Sequence, residues 1–307
     1  MKVSLPDQTM CSQLSSSVDE QLFGTAPKTE VWLMIEYDRA PGVKALEESE
    51  IPQLVKSYLE EKRKTIQNSR VLLLRRDLPR DNSKIYFYFG IASQTEPVLY
   101  EFYLNGYEDL LNIDFSSLLL REASVSNHKR NDPLFLVCTN GKRDPCCALW
   151  GPAVYEEASR YASGSVWQTS HVGGHRFAAN VISLPHGIYF GRVRSSHAKR
   201  LLENYQKQIL TLENYRGRAC FTKMAQAAEY YLRRETGILH VNALRLIDET
   251  QSDVNRWQIR FYSNFEEAIY VVNITSNESA FEIFESCSNQ EKLTRPTQYQ
   301  LDDWSKT

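Results

Sequence analysis

The stretch LFLVCTNGKRDPCCALWGPAVYEEASRYASGSVWQTSH, residues 134–171, decides how the chain is read. It opens on LFLVCT, an apolar run with β-branched and aromatic residues that suits a buried strand. CALWGPAVYEEASRYA follows with apolar residues at helical spacing and Gly164 shortly after it, the pattern of a helix with its stop. SVWQTSH then alternates as a second strand. Between the first strand and the helix lies a polar loop with three of the six cysteines, Cys138, Cys146 and Cys147. Core thiols need no such spacing, and thiols meant for disulfides rarely sit side by side.

Downstream, HRFAAN reads as a short helical turn, and VISL, the turn PHG and IYFGRV read as a hairpin. SHAKRLLENYQKQIL is an amphipathic helix with Ser195 or Ser196 as its expected cap. The resulting order, βαβα–ββ–α, is that of a thioredoxin-like fold. A further helix, MAQAAEYYLRRETG, and two strands, RWQIRFYSN and AIYVVNITS, complete the chain. Upstream, the first 24 residues lack periodicity and are expected to form a loose arm. VWLMIEY is a strand, and ALEESEIPQLVKSYLEEKRKTI a helix interrupted near Pro52. RVLLLRR, KIYFYFGI and PVLYEFYL are strands. The polar, turn-rich ASVSNHKRNDP, residues 123–133, marks a boundary. The expectation is an α/β protein: a smaller N-terminal α/β domain over 1–125, a thioredoxin-like domain over 126–245, and a C-terminal β extension with its tail over 246–307.

With 42% hydrophobic residues among 307, a sizeable core can be buried. The formal net charge is only −2, which argues against nucleic acid or an anionic membrane as the main partner. No apolar run reaches the length of a membrane span. The N-terminal MKVSLPDQTMCSQLSSSVDEQ resembles neither a secretion signal nor a transit peptide, so a cytoplasmic location is expected. There thiols stay reduced, and clustered cysteines suggest metal binding or redox chemistry.

Two of the six histidines fall in SHVGGHRFAAN as His171 and His175. Gly173 and Gly174 between them let the backbone bend closely around a bound object. This segment follows the second strand of the unit, and the cysteine loop follows the first. If those strands are parallel neighbours, both loops reach one sheet edge, where α/β proteins bind ligands. Two thiols and two imidazoles then converge, a set that suits zinc or an iron–sulfur cluster.

LVCTNGKRDPCCALWG, SHVGGHRFAANVISLPHGIYFGRV and LFGTAPKTEVWLMIEY resemble the sucrase/ferredoxin-like family, from about Cys11 to about Gly237. The resemblance implies a thioredoxin-like ferredoxin that holds a [2Fe–2S] cluster through two cysteines, eight residues apart, and a His-x-x-x-His pair. It assigns Cys138, Cys147, His171 and His175 as ligands and leaves Cys146 as a neighbour. Fungal members end in an acidic tail with a terminal tryptophan that serves as a delivery signal. Here Trp304 in LDDWSKT is not terminal, a departure from that pattern.

Such a ligand set implies one-electron transfer to a redox partner protein, with proton-coupled histidines and a raised potential. An electron carrier is then expected ahead of an enzyme with its own substrate. A Cys2His2 zinc site with a structural or binding role and a thiol–disulfide oxidoreductase stand as alternatives, the latter weakened by the absence of Cys-x-x-Cys. Lys142, Arg143 and Arg176 flank the ligands, read as surface charges that could also steer an acidic partner. Cys11, Cys220 and Cys287 are expected as small core hydrophobes. His128, His186, His197 and His240 are expected to be solvated or structural, Asn180 and Arg192 to orient loops, and Tyr189 and Phe190 to be core.

Overall fold

The computed structural model describes residues 9–77 and 84–307. Its N-terminal half contains α1 (Cys11–Ser17), β1 (Val31–Glu36), α2 (Gln53–Thr65), β2 (Ser69–Arg75), β3 (Ile85–Ile91), β4 (Val98–Leu104) and α3 (Phe115–Leu120). The central unit runs β5 (Leu134–Cys138), α4 (Pro145–Ala162), β6 (Val166–Thr169), β7 (Val181–Leu184), β8 (Ile188–Phe190) and α5 (Ser195–Gln206). Then come β9 (Tyr215–Arg218), α6 (Lys223–Thr236), β10 (Leu244–Asp253), β11 (Arg256–Ser263) and β12 (Ala268–Glu278). The chain closes with the short pair β13 (Ile283–Phe284) and β14 (Leu293–Thr294), and with β15 (Thr297–Lys306).

Nine strands form one sheet in the order β4-β3-β1-β2-β6-β5-β7-β8-β9. β1 and β2 are parallel, as are β5 and β6, and the other pairs are antiparallel. β2 and β6 join through Leu74 opposite Thr169 and Arg75 opposite Gln168, so the sheet is continuous across the polar segment 123–133. A separate antiparallel sheet, β10-β11-β12-β15, lies at the C-terminus. The molecule is of the mixed α/β class. Among the described residues, no helix is long and apolar enough to cross a membrane.

The central strands are buried on both faces, which explains why they read as unbroken apolar runs. Side chains alternate between the faces. In β1, Val31, Leu33 and Ile35 pack with α2 and α3, while Trp32 and Met34 pack on the opposite face. In β5, Phe135 and Val137 meet α4 and α5, while Leu134, Leu136 and Cys138 face the other way. The C-terminal sheet buries one face against α6, and the alternation along β12 records it.

Several expectations are corrected. The N-terminal segment is no loose arm from residue 11 onward: Cys11–Ser17 is helical and buries Cys11, Leu14 and Ser15. A helix of seven residues, just under two turns, is too short for periodicity to reveal. The predicted helix before Pro52 is a series of turns, because a residue preceding proline is pushed out of the helical region. Ser195 begins α5 as its first helical residue, and Arg194 occupies the cap position without a side-chain bond. No pattern read in the sequence announces α3, β9, β10, β13, β14 or β15. β9 reads YRGR, a polar sequence whose Arg216 is satisfied by carbonyls and Asn180 and whose Arg218 is buried by ion pairing.

That pairing is a closed network. Glu229 accepts from Arg218 Nε at 2.9 Å and Arg233 Nη2 at 2.9 Å, and Tyr215 donates to its second oxygen. All four side chains are essentially inaccessible to water. Glu229→Gln leaves two buried guanidiniums without their counter-charge and should cost about 3–5 kcal/mol in a denaturant titration. A loss below about 1 kcal/mol, the scale of a surface pair, would show that the network is not held as described.

Burial also holds His186 neutral, its pKa lowered to about 3 from 6.5, with Nδ1 2.6 Å from the Tyr205 hydroxyl. Below pH 6.5 the unfolded chain takes up a proton that the folded chain refuses. Stability therefore falls as the pH drops from 6.5 toward 3, by at most about 1.4 kcal/mol per pH unit from this group. His186→Gln should flatten that acid limb; an unchanged slope in thermal melts across the range counts against a neutral buried imidazole.

Gly151 lets α4 approach the end of β5. A Cβ there would fall on the Cys138 carbonyl oxygen and press on Thr139. Gly151→Ala should cost about 1–3 kcal/mol and separate helix from strand. Wild-type stability in the same titration would refute the contact.

Candidate functional site

Cys138 ends β5. Seven residues later α4 begins, for a local reason: the Asp144 carboxylate accepts from the Cys146 N–H at 2.9 Å, and Pro145 presets the first turn. A helix rotates about 100° per residue, so adjacent side chains leave it in different directions. Cys147 turns to Cys138, sulfur to sulfur at 3.5 Å. Cys146 turns to Cys11 and Cys287, each at 3.4 Å. The neighbouring thiols thus serve two separate clusters. Cys11 and Cys287, expected as isolated core thiols, are corrected to members of the second. Cys220 stays apart, and burial pushes its thiol up to about 11.

The histidine loop follows β6. Gly173 and Gly174 take φ of +98° and +72°, values that side chains beyond glycine rarely adopt. The turn is clamped from beneath. Arg216 donates to the Gly173 carbonyl at 3.0 Å and to Asn180 Oδ1 at 2.7 Å. Asn180 Nδ2 donates to the Gly174 carbonyl at 2.8 Å, and Arg70 to the Val172 carbonyl at 2.6 Å. The result stacks the His171 and His175 rings with centroids 4.7 Å apart.

The two loops therefore meet. Cys138, Cys147 and His171 offer ligand atoms within 4.8 Å of one another. His175 lies against His171, with its Nε2 3.9 Å from Asp144 Oδ2. Nδ1 of both histidines is buried without a hydrogen-bond partner. Orphaned polar atoms are rare in folded proteins and call for an explanation.

Burial and hydrogen bonding shift these groups in different directions. The hydrogen bond shared with Cys147 outweighs burial and, with His171, holds Cys138 well below the usual thiol range. The same bond, with burial, pushes Cys147 up. Burial lowers His175 to about 4, with Asp144 opposing, so its ring is neutral near pH 7. For Asp144, burial works against ionisation, yet the Cys146 amide, His175 and the Cys287 amide hold it below the ordinary carboxylate range.

An open cleft lined by Val43, Lys44, Asn140, Arg143, Ser170 and His171 leads to the histidine from solvent. Lys142 and Arg143 are exposed beside it. Arg176 instead pairs with Glu20 at 2.9 Å and Glu285 at 3.2 Å. Arg192 holds the N-terminal segment through Ser15 and the Glu20 carbonyl. Tyr189 and Phe190 are core. His128 stacks on Phe102, His197 lies 3.2 Å from Glu213, and His240 Nδ1 accepts from the Asn242 amide. Sequence reasoning missed Asp144 and Arg216. Asp-Pro before a helical pattern is a capping signature that could have revealed the first. Arg216 lies in a strand that no apolar pattern announces.

The profile of the family described as sucrase/ferredoxin-like matches residues 4–217. Among curated proteins, "Altered inheritance of mitochondria protein 32" of Meyerozyma guilliermondii is 26% identical over 138 residues, 41% of this chain and 47% of the relative. The Saccharomyces kudriavzevii protein of the same name is 27% identical over 176 residues, 45% of this chain and 57% of the relative. That of Saccharomyces cerevisiae (strain YJM789) is 32% identical over 96 residues, 27% of this chain and 31% of the relative. The matches thus span about half the length of the first two relatives or less. No solved structure matches. These names correct the expectation of an iron–sulfur electron carrier: the relatives are named for the inheritance of mitochondria, not for a cluster or for electron transfer. With more than half of its length under that family's profile, the chain belongs to the sucrase/ferredoxin-like family.

Proposed function

We propose that the chain is a metal-dependent factor in the maintenance of mitochondria, and that Cys138, Cys147, His171 and His175 hold its thiophilic metal centre. The observation that carries this reading is the convergence of donor atoms of Cys138, Cys147 and His171 within 4.8 Å, with His175 stacked on His171 and Nδ1 of both rings buried without a partner. Thiolate and neutral imidazole are the forms in which these residues ligate. The Cys147 hydrogen bond favours the thiolate of Cys138 and burial favours the neutral ring of His175, the forms that ligation needs. The glycine turn clamped by Arg216 fixes the imidazoles before any ligand arrives, which lowers the ordering cost of binding.

A zinc ion and a [2Fe–2S] cluster share this donor chemistry. When bound, either would tie the end of β5, the first turn of α4 and the histidine loop into one rigid surface. Arg216 and Asn180 orient the loop, Asp144 faces His175, and the cleft beside Arg143 admits the cofactor or a partner. The strand order β6-β5-β7-β8, parallel only between β5 and β6, supports a thioredoxin-like reading of this unit. The relatives' names support a place of action at the mitochondrion in preference to the cytoplasmic location first expected.

The test is metal analysis of the full chain purified without oxygen, alongside Cys147→Ser and His171→Ala. The wild type should carry metal at this site, and each variant should bind it there at least about tenfold more weakly. Iron with labile sulfide identifies the cluster, and zinc without colour the ion. A wild type free of metal, or variants that keep full occupancy, overturns the site. In cells, deleting the gene should impair mitochondrial transmission, and the double variant Cys138→Ser/Cys147→Ser should reproduce that defect. Normal transmission in that strain would separate the metal from the mitochondrial role.

A further inference from the structure

The second thiol cluster lies outside the site described above. Cys11 comes from α1, Cys146 from the first turn of α4, and Cys287 from the segment between β13 and β14. Positions 135 and 141 residues apart are thereby brought together at 3.4 Å, sulfur to sulfur. The Asp144 carboxylate completes the group, 3.8 and 4.0 Å from Cys11 Sγ. All four donor atoms lie within 4.8 Å of one another.

We propose that Cys11, Cys146, Cys287 and Asp144 form a second metal site, for a thiophilic divalent cation of the zinc class. The spacing carries the argument. Sulfurs around a tetrahedral zinc, each about 2.3 Å from the ion, are about 3.8 Å apart, and a carboxylate oxygen is about 3.5 Å from each sulfur. A disulfide instead requires about 2.05 Å. Three sulfurs and one oxygen at the observed distances surround a common centre that no single disulfide would satisfy, since one thiol is always left over.

The surroundings suit a thiolate at Cys146, which the Cys11 hydrogen bond lowers to about 6. The Cys146 hydrogen bond and burial push Cys11 up, and burial pushes Cys287 up to about 12, so the ion itself must displace those two protons. The Cys11 amide donates to Cys287 Sγ at 3.2 Å, and Cys146 lies in the first turn of the 18-residue α4, near its positive end. Asp144 is oriented by the Cys146 amide at 2.9 Å, the Cys287 amide at 2.9 Å and the Ser286 hydroxyl at 3.1 Å, which leaves its oxygens fixed toward the sulfurs. Binding would displace the three thiol protons to solvent, and the ion would replace them at sulfur without any change in oxidation state.

Such a site would fasten the N-terminal helix and the β13–β14 hairpin to the start of α4. Apolar packing there is slight: Leu14, Ala178, Ile283 and Phe284 are the buried residues beside the thiols. Cys287 lies beyond the part of the chain that the family profile matches, so the site does not rest on the reading of the first one.

The experiment uses the full chain carrying Cys138→Ser/Cys147→Ser, which disables the first site alone, with zinc as the probe under reducing conditions. This protein should still bind one zinc per chain. Adding Cys287→Ser should weaken binding by about tenfold or more, while Cys220→Ser, a thiol in neither cluster, should leave it unchanged. Zinc should shield Cys11, Cys146 and Cys287 from alkylation, read by mass spectrometry, whatever the variants do to folding. Wild-type affinity after Cys287→Ser, or equal alkylation with and without zinc, overturns the proposal, as does a disulfide among the three in the zinc-loaded protein. Loss of metal from Cys138→Ser/Cys147→Ser together with unshielded thiols also overturns it, without bearing on the first site.

Discussion

The seating of the α4 N-terminus against the end of β5 is the contact on which the remaining architecture of the site depends. Asp144 starts the helix by capping it, and Gly151 lets the helix lie on the Cys138 carbonyl. Only with that approach does Cys147 reach Cys138, and only with the helix started at that residue does Cys146 point the opposite way. A one-residue shift of the start would rotate both thiols by about 100° and dissolve both clusters.

The same aspartate links the two thiol groups. Its carboxylate stands 3.9 Å from His175 on one side and beside Cys11 and Cys287 on the other. A buried anion of this kind is tolerable because amides and a hydroxyl satisfy it. The clamp on the histidine loop has the same logic from the opposite sign: the Arg216 guanidinium, fully buried, is satisfied by the carbonyls of Thr25 and Gly173 and by Asn180. Charged groups placed in the interior hold loops that apolar contacts alone could not aim.

Legibility followed local physics. β1 through β8 and the helices α2, α4, α5 and α6 were readable, because burial on one or two faces leaves its period in the residues. The pairing of Cys138 with Cys147 came from a family resemblance, and the approach of the histidine loop from the expected parallel neighbours β5 and β6. β9 was hidden because its buried side chains are arginines, and α1 because it is shorter than two turns. Cys11 and Cys287 read as core thiols, since nothing near either of them in the chain speaks of Cys146.

By itself, the order of residues determined the alternating and helical periods, the cap and proline that start α4, and the glycines that permit the histidine turn. These depend on neighbours within a few positions, where backbone geometry links sequence directly to shape. The tertiary structure alone decided which thiols meet, that Asp144 faces two clusters, and that the two halves of the chain share one sheet. The meeting of Cys146 with Cys11 and Cys287 and the pairing of β2 with β6 join residues 93 to 141 positions apart, and they arise from the closing of the whole sheet, which no local pattern encodes.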